Sequence, residues 1–535
     1  MRLRHAPRPA VLLVGPYDPH CGEYTFLAPP LGVWRLEGVL AQAGIRVEVF
    51  DPNCCEGAPA QAFERILAKC HWDVVGISTT GMTLRYDLEL AHIAKRCCPD
   101  ALLAAGGMEA TFNPELVMRL APFDLTVLGE GEKPLLEICR RLREGERIRM
   151  VPGTVEHAPG GGVNRYTQPA LTRDELRDAI FRTPYERMPY EAYWRRLESA
   201  YGVRNLPFKA QREARLAEIR SVRLITLNYC PMGCTFCSST NYLHEAQGSV
   251  ASIARLDAGE CLHMLERIVA AHPGVRTVIF QDDIFVFTKD KRILPLCEGI
   301  VAAKARGALP RELQFISTNR IDAMDGERLA AMRAAGFRVL GFGVENFSLG
   351  VLEEFNKKHI HAHIEPMLTQ ALAAGITPFL DLILTSPRCT LGDLAETLRQ
   401  AGRWLLAGCE IGMYPWVIPF SGAAMAKDAA LAPHTDHVRH RIRGTAIEWD
   451  QPSRILPLDA TVRAAILEIS ERFEAKMAEL ESEGAHLPSR VRSMVWIAVA
   501  IPVMQRLGEP MPERGPVLEA LERAMPTRPL LAAHG

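Results

Sequence analysis

The stretch Cys230-Pro-Met-Gly-Cys234-Thr-Phe-Cys237 puts three thiols on one short loop, separated by three and then two residues. Pro231 and Gly233 let the backbone wrap, so three thiolates can face one soft metal centre. Soft sulfur selects iron–sulfur clusters, zinc or copper(I). A [4Fe–4S] cluster normally takes four thiolates, and a closed structural zinc site also needs four ligands. The next cysteine is Cys261, inside an expected helix. Three ligands with no near fourth point to a cluster with one iron open to another molecule. The competing readings are a zinc loop and buried cysteines acting as small hydrophobes. The apolar run Val222–Tyr229 before the loop reads as a buried strand.

Behind this loop, strand and helix alternate. Strands are expected at Val222–Tyr229, Val278–Asp282, Leu313–Ser317, Val339–Val344, Phe379–Leu384 and Glu410–Ile418, with helices between them. Six such units predict a partial parallel barrel over residues 216–420. Active sites of parallel barrels lie at the C-terminal ends of the strands. Those ends carry Asp282 and Asp283, Arg320, Glu345, and Asp381 with Thr385. The Arg320 guanidinium has the geometry to grip a carboxylate bidentately. Each charge alone reads equally well as a solvated loop residue or a structural ion pair; their recurrence on successive strand ends favours function. His359, His361 and His363 alternate after Lys357-Lys358 and read as a solvated loop rather than a metal site.

Residues 1–150 alternate strand and helix five times, the pattern of a doubly wound α/β domain. Ligands of such sheets sit at the strand C-terminal ends. Here those are Asp18–Gly22, Ser78-Thr79-Thr80, Gly106-Gly107 and Gly129-Glu130-Gly131-Glu132. Hydroxyls there can bond a buried ligand, and glycines let the backbone approach it.

Two resemblances follow. The Cys-x3-Cys-x2-Cys spacing, with Phe236 before the last cysteine, resembles the signature of the radical S-adenosylmethionine (SAM) family. That resemblance implies a [4Fe–4S] cluster on Cys230, Cys234 and Cys237 whose open iron chelates SAM. The reduced cluster then cleaves SAM to a 5′-deoxyadenosyl radical. It also implies that Asp282 and Asp283 accept from the SAM amino group, that Arg320 pairs with its carboxylate, and that Glu345 lies near its ribose and carboxylate. An electron donor such as flavodoxin or ferredoxin is implied too.

The N-terminal loops are similar to those of cobalamin-binding domains, on Ser78, Thr79, Thr80, Gly106 and Gly107. Gly129 and Glu130 resemble a loop of cobalamin-dependent radical SAM enzymes. The first loop departs from the pattern: Asp18-Pro-His20 is spaced correctly, but Gly22 comes one residue early. His20 is the candidate lower cobalt ligand, oriented by Asp18; a loop histidine beside the corrin is the other reading. Methylthiotransferases carry a second cluster on three N-terminal cysteines, a part Cys21, Cys54 and Cys98 match only in number.

At 535 residues the chain accommodates several domains, and 48% hydrophobic with 23% charged residues marks it as globular. A net charge of −1 gives no electrostatic case for nucleic acid or a membrane surface. Met1 to Pro9 is basic and breaks on prolines, so it does not read as a signal peptide, and no segment is long enough to span a bilayer. Fourteen cysteines then suggest reduced thiols in the cytoplasm. Residues 151–215 read as a tyrosine-rich connector. Residues 421–535 read as helical, a cap over the barrel mouth, and Pro419–Gly422 resembles the turn that closes the barrel in the radical SAM family.

The resemblances together predict an α/β protein in which a Rossmann-like cobalamin domain precedes a partial (β/α)6 barrel. They imply a cobalamin-dependent methyltransferase acting on an unactivated carbon, or less often on phosphorus, of a small, natural-product or lipid-like molecule. In this scheme one SAM methylates cobalt, and a second yields the radical that prepares the substrate to take the methyl group. A cyclase or ring-rearranging enzyme without methyl transfer is the main alternative, ahead of a methylthiotransferase or a cobalamin-binding sensor.

Overall fold

The computed structural model describes residues 6–20, 28–205, 209–481 and 487–524. The first domain is built on a seven-stranded sheet of order β2-β1-β3-β4-β5-β6-β7. Its elements are β1 (Ala10–Val14), α1 (Leu31–Gln42), β2 (Arg46–Phe50), α2 (Pro59–Leu67), β3 (Val74–Ser78), α3 (Leu84–Cys97), β4 (Leu102–Gly106), α4 (Met108–Phe112), α5 (Pro114–Leu120), β5 (Leu125–Val127), α6 (Glu132–Glu144), β6 (Thr154–His157) and β7 (Val163–Tyr166). The first five strands are parallel. β1 is apolar at every position because both its faces are covered. Leu12 and Val14 pack with Phe63 and Leu88 on one side. Val11 and Leu13 pack with Leu40 and Ile138 on the other. The sheet does not stop at residue 150: β6 and β7 extend it as an antiparallel hairpin. Gly160–Gly162 lie at its tip.

The connector holds α7 (Arg173–Phe181), α8 (Tyr190–Ala200) and α9 (Lys209–Ile219). Its buried aromatics bridge the domains. Tyr193 donates to Asp51 at 2.7 Å in the first domain, and Tyr185 to the Arg223 carbonyl at 3.0 Å in the second.

The second domain is a six-stranded all-parallel sheet with strands in sequential order, the predicted partial barrel. It runs β8 (Ser221–Leu224), α10 (Ser239–Gln247), α11 (Ala258–Ala271), β9 (Thr277–Phe280), α12 (Ile293–Ala305), β10 (Gln314–Asn319), α13 (Gly326–Ala335), β11 (Phe337–Glu345), α14 (Leu349–Glu354), α15 (His361–Ala373), β12 (Thr377–Ile383), α16 (Leu391–Ala407) and β13 (Glu410–Tyr414). Reciprocal capping boxes start α11 and α16, at Asp257/Glu260 and Thr390/Asp393. Phe280, Phe285, Phe315 and Phe337 stack beneath the sheet with centroids 4.1–6.2 Å apart.

The C-terminal part is helical from residue 460, with α17 (Ala460–Glu481), α18 (Ser489–Arg506) and α19 (Gly515–Ala524). Before them lies an unexpected hairpin of β14 (Thr435–Arg441) and β15 (Glu448–Ile455). The helices do not cap the barrel mouth. α18 packs on β13 and α16, where Ser493 donates to the Ile411 carbonyl and Ile497 lies against Gly402. It covers the free edge of the sheet, which unpaired strands require. The hairpin reaches back to the first domain. Gln451 donates to the Gly81 carbonyl at 2.5 Å, and Trp449 joins that domain's core. Among the described residues no helix is long and apolar enough to cross a membrane.

Candidate active site at the junction of the two domains

β8 ends at Leu224, five residues before the end expected from its apolar run. Thr226 turns its N–H (2.6 Å) and its hydroxyl to the Asp282 carboxylate, and Leu227 bridges to Arg255 instead of extending the sheet. The chain is thereby released into the Cys230–Cys237 loop. Gly233 sits at φ +70°, the left-handed region glycine tolerates. Its N–H donates to Thr240 Oγ1 at 2.8 Å and its carbonyl accepts from Asn356 at 3.1 Å. The Thr235 hydroxyl donates to the Glu354 carbonyl at 2.7 Å, and Phe236 meets Phe355 edge-on at 4.8 Å. The end of α14 therefore pins the loop.

Cys230, Cys234 and Cys237 line one pocket together with Asp283, Arg320, Glu345 and Lys357. Among the described residues no three His, Cys, Asp or Glu side chains gather tightly enough for a single ion. Three thiols around a shared pocket suit a cluster, where each sulfur binds a different iron. Burial pushes the Cys230 thiol up to about 12 and also raises Cys234 and Cys237. Loading a metal cluster on them therefore releases protons.

Glu345 is a non-glycine residue at φ +65°, where the β11–β12 register breaks. This strained backbone turns its carboxylate into the pocket and onto Lys357 Nζ, 2.8 Å away. Lys357 also donates to the Gly343 carbonyl at 2.7 Å and lies 5.9 Å from the centre of the Phe236 ring. Arg320 lies in the pocket, but its fork is already on Asp322, at 2.8 and 2.5 Å, and it contacts His359 Nε2 at 2.9 Å. Asp282 is turned away from this pocket. It is buried on Thr226, and burial raises its carboxyl to about 6 despite nearby Arg292. Asp283 faces the pocket. The Thr385 hydroxyl is spent on the Pro415 carbonyl at 2.7 Å, and His361 and His363 are exposed.

A second and larger cleft, about 1420 Å³ counting its open mouth, lies between the domains at the C-terminal ends of β1, β3, β4 and β5. Ser78, Gly106, Gly107, Gly129 and Glu130 line it from the first domain; Tyr229, Tyr242, Asp282 and Asp283 line it from the second. A Cβ on Gly106 would stand in open space within the cleft, whereas one on Gly107 (φ +91°) would come within 2.5 Å of the Thr79 carbonyl oxygen. Glu130 Oε1 is buried without a partner. An open glycine floor beside an unsatisfied polar atom fits a large ligand with a hydrogen-bonding rim, as cobalamin is. Thr79 and Thr80 do not reach the cleft. Thr79 ties β4 to α4 through the Gly106 carbonyl (2.9 Å) and Ala110 N–H (3.1 Å), and Thr80 bonds Thr83 at 2.8 Å. His20 is exposed with Nε2 3.2 Å from the Tyr86 hydroxyl, and it is not among the residues lining the cleft. Asp18 accepts from the His20 N–H, not from its ring. Cys21 and Gly22 lie outside the described residues.

A family model described as B12 binding domain matches residues 19–139, and one described as Radical SAM superfamily matches residues 224–401. The chain is a radical SAM protein with a B12 binding domain. Its cofactors are accordingly a [4Fe–4S] cluster, SAM and cobalamin. An uncharacterized methyltransferase of Pyrococcus horikoshii is 26% identical over 70% of this chain and 73% of its own. An anaerobic magnesium-protoporphyrin IX monomethyl ester cyclase of Cereibacter sphaeroides is 25% identical over 74% of this chain, which spans only 59% of that relative. Among solved structures, the radical SAM methyltransferase TsrM from Kitasatospora setae, with cobalamin and a [4Fe–4S] cluster bound, superposes with TM-score 0.63. The match covers 94% of this chain and 99% of that one at 15% identity. The cobalamin-dependent SAM radical enzyme OxsB gives 0.62 over 96% and 83% at 14% identity. These two likenesses are of fold.

Sequence reasoning passed over two residues of this B12-binding radical SAM site. Lys357 was visible only as part of a basic pair before the histidine run; nothing local shows that β11 brings Glu345 to it. Tyr242 donates to the Gly129 carbonyl at 2.8 Å and so ties α10 to the Gly129–Glu132 loop of the first domain. Its signal was available, since it stands on the first helix after the cluster loop.

Proposed function

We propose that this protein transfers a methyl group to an unactivated carbon of a small molecule. The observation that carries the reading is Asp283, which lines both the cluster pocket and the cobalamin cleft. The two cavities share that wall, so a substrate held beside Asp283 would border both. When bound, the cluster with SAM supplies one-electron radical chemistry and cobalamin supplies a methyl carrier.

The chain's own residues do the rest. Cys230, Cys234 and Cys237 hold the cluster. The Glu345–Lys357 pair sets a fixed polar wall beside it, and Phe236 against Phe355 closes one side to water. Asp283 presents acceptor oxygens to a donor group on SAM or substrate. Leu13, Val14, Leu227 and Tyr229 give the cleft an apolar wall that excludes water around reactive species. The methyltransferase relative supports this reading, as does the cytoplasmic setting suggested by the free thiols of the described cysteines. Reducing power from a flavodoxin or ferredoxin belongs to the same proposal.

The test is turnover with SAM deuterated on its methyl group, offered small-molecule extracts. A product heavier by the labelled methyl supports transfer. A second reading, ring closure without methyl transfer, is favoured by the cyclase relatives; there the product would carry no label while 5′-deoxyadenosine accumulates.

A further inference from the structure

Glu130 is the buried acid on the first-domain side of the cobalamin cleft, across from Asp282 and Asp283. Its backbone carbonyl accepts from Gln168 Nε2 at 2.9 Å, and its Oε2 accepts the Leu171 N–H at 3.0 Å. Oε1 is buried with no hydrogen-bond partner among the described residues, and the residue lines the cleft. The charged groups around it come from three elements. Arg35 on α1 is committed to Glu132 on α6, Nε to Oε1 at 2.5 Å. Lys133 on α6 is paired with Glu175 at 3.0 Å. Tyr242 on α10 spends its hydroxyl on Gly129. Glu130 thus stands beside a second carboxylate, with the nearest cations engaged elsewhere.

We propose that Glu130 works as a neutral carboxylic acid, its Oε1–H donating to an acceptor on the periphery of the bound corrin, such as an amide carbonyl. The proposal rests on the cleft being the cobalamin site. An ionised carboxylate offers only acceptors, whereas a protonated one offers a single O–H donor. Because Oε2 already receives the Leu171 N–H, the proton belongs on Oε1, the atom left for the ligand. Burial pushes the group up to about 7; Arg35 opposes this and Glu132 reinforces it. The sign follows: the donor is present below about pH 7 and is lost as pH rises through that value.

The test is binding of cyanocobalamin, whose cobalt ligand does not titrate in this range, to the cluster-reconstituted full chain without SAM, at about pH 6 and about pH 8.5. Wild type is expected to bind roughly tenfold or more weakly at the higher pH. Glu130→Gln keeps an N–H donor at the same place, so it should bind equally at both pH values and match wild type at the lower one. Glu130→Ala should be weak at both, with thermal melting showing that it folds. Wild-type affinity that is flat with pH, or Glu130→Gln weaker than wild type at the higher pH, overturns the role of Glu130. Absence of cobalamin binding by every form at either pH overturns the cleft assignment itself. None of these readings depends on whether a methyl group is transferred.

Discussion

The chemistry of the cluster pocket depends on a few side chains held against their own preferences. Glu345 occupies left-handed backbone, and Lys357 gives it a partly buried counter-charge beside three thiols. Removing one partner leaves an uncompensated charge, at a cost below the ~3–5 kcal/mol of a fully buried pair. Lys357→Met should therefore lower the melting temperature and cluster retention together, while a Lys357→Met/Glu345→Gln double variant should recover part of both. Equal losses in the single and double variants would show that the pair is not coupled. The cysteines are simpler. Cys230→Ala, Cys234→Ala or Cys237→Ala should each abolish SAM cleavage, read as loss of 5′-deoxyadenosine with iron content well below that of wild type. Retained cleavage in any one of them removes that cysteine from the ligand set.

Elements were legible where the residue pattern and the fold express the same constraint. The alternation of strand and helix over residues 1–150 marked the doubly wound sheet, and the chemistry of the Cys230–Cys237 loop is written in residue types. The failures have physical causes. The run to Tyr229 looked like one strand because apolarity does not reveal that the Asp282 carboxylate captures Thr226. The hairpin over Thr435–Ile455 is polar on most positions of both strands and carries Pro452, so no period stands out. Its apolar anchor, Trp449, packs against a domain some 300 residues away in the chain. The apolar C-terminal helices were recognisable as helices, but not which edge of the sheet they cover. At this scale the Phe280–Phe285–Phe315–Phe337 stack is the test of the barrel. Phe315 is fully buried, and Phe315→Ala should destabilise the second domain by about 3–5 kcal/mol in denaturant melts. A change below about 1 kcal/mol would mean that this stack does not anchor the sheet.

At the scale of the molecule, two domains share one site only if their relative placement is fixed. The turn after β13 is one clip. Ser421 donates to Glu109 at 3.1 Å and accepts from Asn113 at 2.8 Å, while the Gly422 carbonyl accepts from Asn241 at 2.7 Å. The turn that follows the last barrel strand also docks on α4 of the B12 binding domain. Gly422 lies at φ +89°, and a Cβ there would come within 2.2 Å of the Phe112 ring. Gly422→Ala should push the domains apart at the cleft, weakening cobalamin binding severalfold while leaving iron content unchanged. An unaltered cobalamin affinity would show that this contact does not set the cleft.

The most direct measurement is anaerobic reconstitution of the full chain with iron, sulfide and hydroxocobalamin, followed by quantification of iron and cobalamin per chain. A three-cysteine cluster beside a corrin cleft predicts about four irons and about one cobalamin. About eight irons without cobalamin would contradict the account and point to a second cluster in the first domain.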